Sequence, residues 1–219
     1  MLVRRYKVFT PRLYLSLVLF IIPVAAFGVQ VLFERLGLLS TIAAYWLFLI
    51  ADIFGDYWVF GGICSKSSAR LEYMKSSFYG SKVMRTGIVM DLVRRLLWML
   101  LLCGACMGYF CIRQMGHLTV EDWLFIGVMT LSGYGVNTLA LNGTRYLETF
   151  QMYSLWASFI TGFTTGFVTR LAILEFSGDK TTNFWWTLLI GLAVFDTVVS
   201  VVTVCHMMFR VRRTYVDAD

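Results

Sequence analysis

The sequence predicts an all-α polytopic membrane protein with six transmembrane helices in one domain, residues 1–219. Hydrophobic residues make up 58% of the chain and charged residues only 15%, whereas about a quarter of an ordinary soluble domain is charged. The mean hydropathy of +0.71 agrees with this class. The apolar residues form continuous runs rather than alternating ones, which favours membrane-spanning helices over the strands of a barrel.

The predicted spans are residues 13–33, 39–63, 96–112, 123–142, 152–174 and 184–208. Each is close to the roughly 20 residues that a helix needs to cross the hydrocarbon core. The first run follows a basic start and so has the charge pattern of a signal peptide. It continues to Phe33, however, which is longer than the apolar part of an ordinary signal peptide, and we therefore interpret it as a retained span.

The distribution of Lys and Arg predicts the orientation of the chain. With both termini in the cytosol, fifteen of the 19 basic residues fall on the cytosolic side, as the positive-inside rule requires. The four exceptions are Arg35, Arg113, Arg170 and Lys180. The net charge of +6 is then explained by a cytosolic rim beside anionic lipid, and we expect no nucleic-acid partner.

Three carboxylates lie within the apolar runs: Asp52, Asp56 and Asp196. A charged side chain at this depth is costly unless it is paired, protonated or in contact with water, so each residue is a candidate for a proton or cation site or a polar pathway. The alternative is a structural ion pair, for example Asp56 with Arg94 or Arg95. Asp52 and Asp196 lie nearer the middle of the bilayer and are the better functional candidates.

Other chemical motifs point away from catalysis. Cys103 and Cys106 have the spacing of a redox pair, but they lie in the middle of span three, where cysteine behaves as a small apolar residue. Gly104 and Gly108, like Gly162 and Gly166, form small-xxx-small patterns that predict close helix packing. The chain has no P-loop, its two histidines lack ligand spacing, and no set of catalytic residues is evident. We therefore expect no enzyme activity, metal or cofactor in this chain.

The basic segment between spans two and three, residues 65–95, combines charge with helical periodicity. Leu71, Met74 and Phe78 recur at the spacing that places residues on one helix face. The charged residues fall largely off that face: Arg70, Glu72 and Lys75. This amphipathic pattern, in the largest cytosolic loop, predicts a surface that is presented to a partner.

This segment and the six-span layout resemble the membrane subunits of type-2 ABC exporters, the ABC-2 permease family. Residues 71–77 look like the coupling helix of that family, and residues 78–81 like the turn that follows it. Residues from Lys82 onward would then form the connector into span three. Gly80 stands where the family often has a proline, so it would be the residue that turns the chain back toward the membrane.

The resemblance implies a permease that is moved by a separate cytosolic ABC ATPase, which would hold the ATP and Mg²⁺. Six residues would make the contact with the ATPase, with Glu72, Tyr73 and Lys75 in polar contacts and Leu71, Met74 and Phe78 in the apolar seat. It also implies a second permease subunit, in a homo- or heterodimer. The expected activity is export of an amphipathic or lipid-like substrate, such as a peptide, drug or lipid, through a bacterial cell membrane.

Two other functions stay open at this point. The chain could be an ion-coupled secondary transporter that uses the three aspartates as ion sites. It could also be the substrate-binding membrane component of a vitamin importer, which has a similar length and number of spans, although the sequence shows no signature of the pocket that such a protein needs.

Overall fold

The computed structural model describes residues 16–56, 78–114, 116–144, 150–176 and 182–213, and each regular element in these ranges is helical. The α-helices are α1 (Ile22–Leu32), α2 (Leu38–Asp56), α3 (Phe78–Gln114), α4 (Val120–Thr144), α5 (Phe150–Phe176) and α6 (Thr182–Arg213). A π-helical segment, Leu17–Ile21, precedes α1, and a short 3-10 helix, Glu34–Leu36, separates α1 from α2. The prediction of an all-α protein is confirmed for these ranges.

Five of the described helices are long and apolar enough to cross a membrane. Their apolar windows are Leu38–Gly55, Arg85–Arg113, Val120–Ala140, Gln151–Leu174 and Thr182–His206. The first predicted span corresponds to a shorter apolar helix, Leu19–Leu32, and its residues 13–15 lie outside the described ranges. The structure therefore supports a membrane-spanning helical protein with five candidate spans, one fewer than the sequence predicts.

A tight turn joins α1 to α2 and makes them packed neighbours. Gly37 ends the 3-10 helix with φ 57° and ψ −126°, a backbone conformation that is open to glycine and strained for other residues. The Ser40 hydroxyl donates a hydrogen bond of 2.6 Å to the Gly37 carbonyl at the start of α2. Glu34 fixes this turn to α3, because its carboxylate accepts a 2.8 Å hydrogen bond from Tyr109 and lies 3.6 Å from Arg113.

Helix α4 occupies the centre of the bundle and packs against α2, α3, α5 and α6. It begins with a capping box, in which the Asp122 carboxylate accepts from the Thr119 backbone N–H (2.7 Å) and the Thr119 hydroxyl accepts from the Asp122 N–H (3.3 Å). Of its apolar window, 72% is buried, against 17% for α6. The two helices nevertheless share the most extensive contact in the described bundle.

The hydrophobic core lies where α2, α3 and α4 meet α6, and it contains both cysteines of the predicted redox spacing. Cys103 and Cys106 are each 2% exposed, form no disulfide and belong to one core cluster with Met99, Met107 and Phe125. Their role in apolar packing is therefore confirmed. The burial of both thiols in this core is consistent with the sequence-based preference for packing over redox chemistry.

The close packing predicted at two pairs of glycines is not found among the described residues. A Cβ atom added at Gly104, Gly108, Gly162 or Gly166 would meet nothing within 4 Å. The close approaches occur instead on α4, where a Cβ at Gly133 would overlap Met99 and one at Gly135 would overlap Asp196. The physical reason is position in the bundle: α4 packs against four other helices and 72% of its apolar window is buried, so its small residues are the ones that neighbouring helices press against.

The turn predicted at residues 78–81 is also wrong. Helix α3 begins at Phe78, so Gly80 and Ser81 lie in its first turns. A glycine costs a helix about 1 kcal/mol relative to alanine but does not end it, and the sequence has no proline here to break it. Of the six predicted ATPase contacts, Leu71, Glu72, Tyr73, Met74 and Lys75 lie outside the described residues, and Phe78 is described only by its helical backbone.

Candidate functional site

A cluster of buried charged groups joins α2, α3 and α4 near the C-terminal end of α2. Asp52 is at its centre: one carboxylate oxygen lies 3.1 Å from Arg94 Nη2, and the other lies 2.5 Å from Arg95 Nη1. The side-chain amide of Asn137 on α4 donates a third hydrogen bond to Asp52, at 3.2 Å. One carboxylate on α2 thus holds groups from two neighbouring helices.

Asp91 completes the cluster from within α3. Its carboxylate accepts from Arg94 Nε at 3.2 Å and from Arg95 Nε at 2.9 Å, because residues three and four positions apart share a face of a helix. The four charged side chains are at most 8% exposed. Two carboxylates and two guanidinium groups sum to zero, so the cluster, defined here as Asp52, Asp91, Arg94, Arg95 and Asn137, is internally neutralised.

Such an ion cluster fixes geometry more than it adds stability. Moving charges out of water costs about as much as their mutual attraction returns, so replacing a whole buried cluster by apolar residues is often neutral. Removing one member is different, because it leaves an uncompensated buried charge and costs about 3–5 kcal/mol. The cluster therefore fixes the positions of α2, α3 and α4 relative to one another.

The two arginines of the structural ion pair predicted from the sequence, Arg94 and Arg95, do form buried ion pairs. Their partners among the described side chains are Asp52 and Asp91, and the predicted pairing with Asp56 stays a prediction. Asp52 lies one helical turn before Asp56 and so deeper between the helices; the Asp56 side chain lies outside the described residues. Sequence reasoning missed Asp91 and Asn137, although the spacing of Asp91 from Arg94 and Arg95 was a readable signal for the former.

A further buried carboxylate, Asp196, has no such partners among the described residues. It lies on α6, is 4% exposed, and neither of its oxygens has a hydrogen-bond partner among the described residues. It presses against the backbone of α4 at Gly135, where a Cβ atom would overlap its Oδ1. One turn further along α6, Ser200 makes a 2.7 Å hydrogen bond with Tyr134 of α4, so polar contacts are available in this interface but do not reach Asp196.

The two histidines are not brought together into a site. In the described ranges, no group of three His, Cys, Asp or Glu side chains is placed to hold a metal ion. His117 lies in the connection before α4, whereas His206 lies near the far end of α6. The two aspartate environments, one fully paired and one unpaired, are thus the features of this fold with chemical consequences.

Comparison of the chain with protein-family models, curated proteins and solved structures gives no match. The resemblance to ABC-2 permeases accordingly rests on the pattern of residues 71–95 and on the layout of the spans. The chemistry of the described fold resides in the two aspartate environments and in the helices that carry them.

Proposed function

We propose that this chain is the membrane-spanning permease subunit of an ATP-driven exporter, moved by a cytosolic ABC ATPase that docks on residues 71–77. The observation that supports the proposal most is the position of the ion cluster. Asp52 lies on the helix that enters the docking segment, and Arg94 and Arg95 lie on the helix that leaves it. A force applied to the segment would therefore reach two spans that are fastened together.

The length of α3 suits it to transmit such a force. The helix begins at Phe78, directly after the proposed docking segment, and its apolar window begins seven residues later at Arg85. At 1.5 Å per residue, about 24 Å of continuous helix separate Phe78 from Arg94. Helix α3 would act as a lever, with the ATPase pushing its first turn and the ion cluster serving as the pivot.

The pivot also connects to the rest of the bundle. Asn137 brings α4 into the cluster, and α4 packs against α5 and α6. A tilt of α3 about Asp52 would consequently move the central helix, and through it the helices that border the lipid. This is the kind of rearrangement that opens a path to the opposite side of a membrane.

The proposal includes six spans, both termini in the cytosol and a second permease subunit, alike or different. Helices α5 and α6 carry large exposed apolar side chains along the described bundle, among them Phe159, Phe163, Val194 and Val198. That surface suits membrane lipid and a second subunit, and it suits the export of an amphipathic or lipid-like substrate across a bacterial cell membrane. The chain itself would hydrolyse no ATP.

The first test is whether an ABC ATPase is encoded beside this chain, and the second is co-reconstitution with that ATPase. A photo-crosslinking residue in place of Met74 should capture the ATPase, whereas the same residue in place of Arg170, an exposed position on α5, should not. Glu72→Arg and Met74→Asp should abolish both the capture at residues 71–77 and the stimulation of ATP hydrolysis by the permease. Lys82→Ala, an exposed position on α3, serves as the matched control that keeps both.

The role of the pivot needs a separate variant. Asp52→Asn should leave the ATPase captured at residue 74 but uncouple its hydrolysis from transport, because docking is retained while the fastened helices are released. A chain that captures no ATPase, or that transports fully when reconstituted alone, would contradict the proposal. In the second case an ion-coupled secondary transporter would replace it.

A further inference from the structure

We propose that Asp196 is a proton-binding site: its carboxyl group is neutral in the packed bundle, and its deprotonation loosens the contact between α6 and α4. The site is independent of the ATPase, since it lies on the opposite face of α4 from the ion cluster. It consists of the carboxyl group together with the α4 backbone at Gly135. Its ligand is a proton.

Burial without a partner is the first reason. Asp196 is 4% exposed, and no described donor reaches either of its oxygens. An unpaired carboxylate in an apolar, water-poor position is costly, and the group avoids that cost by taking up a proton. Protonation removes the charge and so lets the side chain stay where the structure has it.

The charged groups of the bundle do not remove this cost. Titratable side chains near Asp196 on the neighbouring helices include Tyr45 of α2, which interacts with it electrostatically, and Tyr134 of α4, which bonds to Ser200 one turn away. Neither is a cation, so neither compensates a carboxylate charge. The charges of Asp52, Asp91, Arg94 and Arg95 neutralise one another in the ion cluster. That cluster touches α4 at Asn137, two residues from Gly135, and two residues correspond to about 200° of rotation around the helix.

A proton fits this site better than a metal ion does. Sodium, magnesium and calcium need several oxygen ligands, and among the described residues no cluster of carboxylate, thiol or imidazole groups includes Asp196. The space is also small, because Oδ1 already lies where the Cβ of any residue other than glycine at position 135 would be. A hydrated or multiply coordinated cation would have to separate α6 from α4 before it could bind.

The helix that carries the site is the one best placed to move. Only 17% of the apolar window of α6 is buried, whereas 72% of that of α4 is buried. When Asp196 loses its proton, the carboxylate must gain water or a donor, and the simplest way is for α6 to rotate or separate from Gly135. Proton binding would thus be linked to the packing of an outer helix against the central one.

Infrared spectroscopy of the full-length protein in lipid vesicles would test the protonation state. The C=O stretch of a buried carboxylic acid should be present near neutral pH, should shift when aspartate carboxyls are labelled with carbon-13, and should disappear from Asp196→Asn. Asp122→Asn is the matched control: Asp122 is equally buried, at 3% exposed, but is hydrogen-bonded in the capping box of α4, so this variant should keep the band.

The same samples can report the helix movement. Spin labels at Leu139 on α4 and Val194 on α6, both exposed, should move apart as the carboxylic acid band is lost on raising the pH, and should not do so in Asp196→Asn. Absence of an aspartic acid band in the wild type would overturn the proton site. A band that titrates while the label distance stays constant would overturn the proposed link to helix packing. Neither result would affect the capture of an ATPase at residues 71–77.

Discussion

Asp52 and Asp196 are two aspartates buried to nearly the same degree in one small bundle, at 1% and 4% exposed, yet their surroundings are opposite. Asp52 accepts hydrogen bonds from two arginines and an asparagine, whereas Asp196 accepts none from the described residues. The two contact α4 at Asn137 and Gly135, positions separated by about 3 Å along the helix and about 200° around it. The two aspartates therefore contact α4 at almost the same height but on different sides of the helix.

This difference teaches that an aspartate within a span has two distinct physical solutions. On one side of α4, Asp52 meets the guanidinium groups of Arg94 and Arg95, so its carboxylate stays charged and holds α2 and α3 together. The other side meets a helix with apolar neighbours, so the carboxyl group must change its protonation state to remain buried. The first solution suits a rigid joint, and the second suits a contact that responds to pH.

Breaking the paired side should have the largest effect on stability. Asp52→Ala leaves two buried guanidinium groups facing one carboxylate, and we expect it to lower the free energy of unfolding by about 3–5 kcal/mol. Denaturant unfolding of the detergent-solubilised protein would measure this. The double variant Asp52→Ala/Arg95→Met restores charge balance and should recover part of the loss; a double variant as unstable as the sum of its single changes would argue against a coupled cluster.

Crowding the unpaired side should have the next largest effect. Gly135→Ala places a methyl group where Asp196 now lies, and overpacking of this kind costs about 1–3 kcal/mol. Gly162→Ala, on an open face of α5, is the matched control and should be neutral or stabilise the protein by up to about 1 kcal/mol. If thermal unfolding shows equal changes in the two variants, the close contact between α4 and α6 is not present in the protein.

Neutralising Asp196 should change how the free energy of unfolding depends on pH, more than its value at any one pH. The folded wild type would keep a proton at Asp196 that the unfolded chain releases, so its stability should fall as pH rises, by at most about 1.4 kcal/mol per pH unit. Asp196→Asn cannot release this proton and should remove that component of the slope. Unfolding measured over a pH series, with Asp122→Asn as the comparison, would check this; an unchanged slope in Asp196→Asn would place the titrating group elsewhere.

Weakening the paired side at its edge should have the smallest effect. Asn137→Ala removes one neutral donor from Asp52, which keeps both arginines, and we expect a loss of about 1 kcal/mol. A double-mutant cycle with Asp52→Ala would give the coupling between the two residues. A coupling as large as that between Asp52 and Arg95 would mean that α4 is held as firmly as α3 and would revise the position of the pivot.

Much of this architecture was predictable from the sequence, because bilayer thickness forces apolar runs of a readable length. The runs predicted for spans two to six all correspond to described helices, and Asp196 was recognisable as a carboxylate in an apolar run. The predicted start of span three, residue 96, misses the 18 residues of α3 before it, although the apolar window of the helix already begins at Arg85. The charges of Asp91, Arg94 and Arg95 made this part of the span read as a cytosolic loop.

Pairing between helices was much harder to predict. The sequence predicts that the arginines pair with a carboxylate on span two, but that Asp52 is such a partner depends on the rotation and depth of α2, which a single sequence does not encode locally. The glycines show the same limit: small residues recur on α3, α4 and α5, and only the packing reveals that Gly133 and Gly135 of α4 make the close approaches. The sequence predicted that these helices exist, but not which face of each helix meets its neighbours.

The zero net charge of the ion cluster has a consequence for how membrane voltage would act on this protein. Moving an elementary charge across the membrane field costs or releases about 2.3 kcal/mol per 100 mV. Two aspartates and two arginines that move as one unit carry no net charge, so a joint movement of α2 and α3 that keeps the cluster intact would do almost no work against the potential. Deprotonation of Asp196 adds one negative charge to α6 and would feel that field. Membrane voltage would therefore act on the Asp196 side of α4 and have almost no effect on the side of the ion cluster.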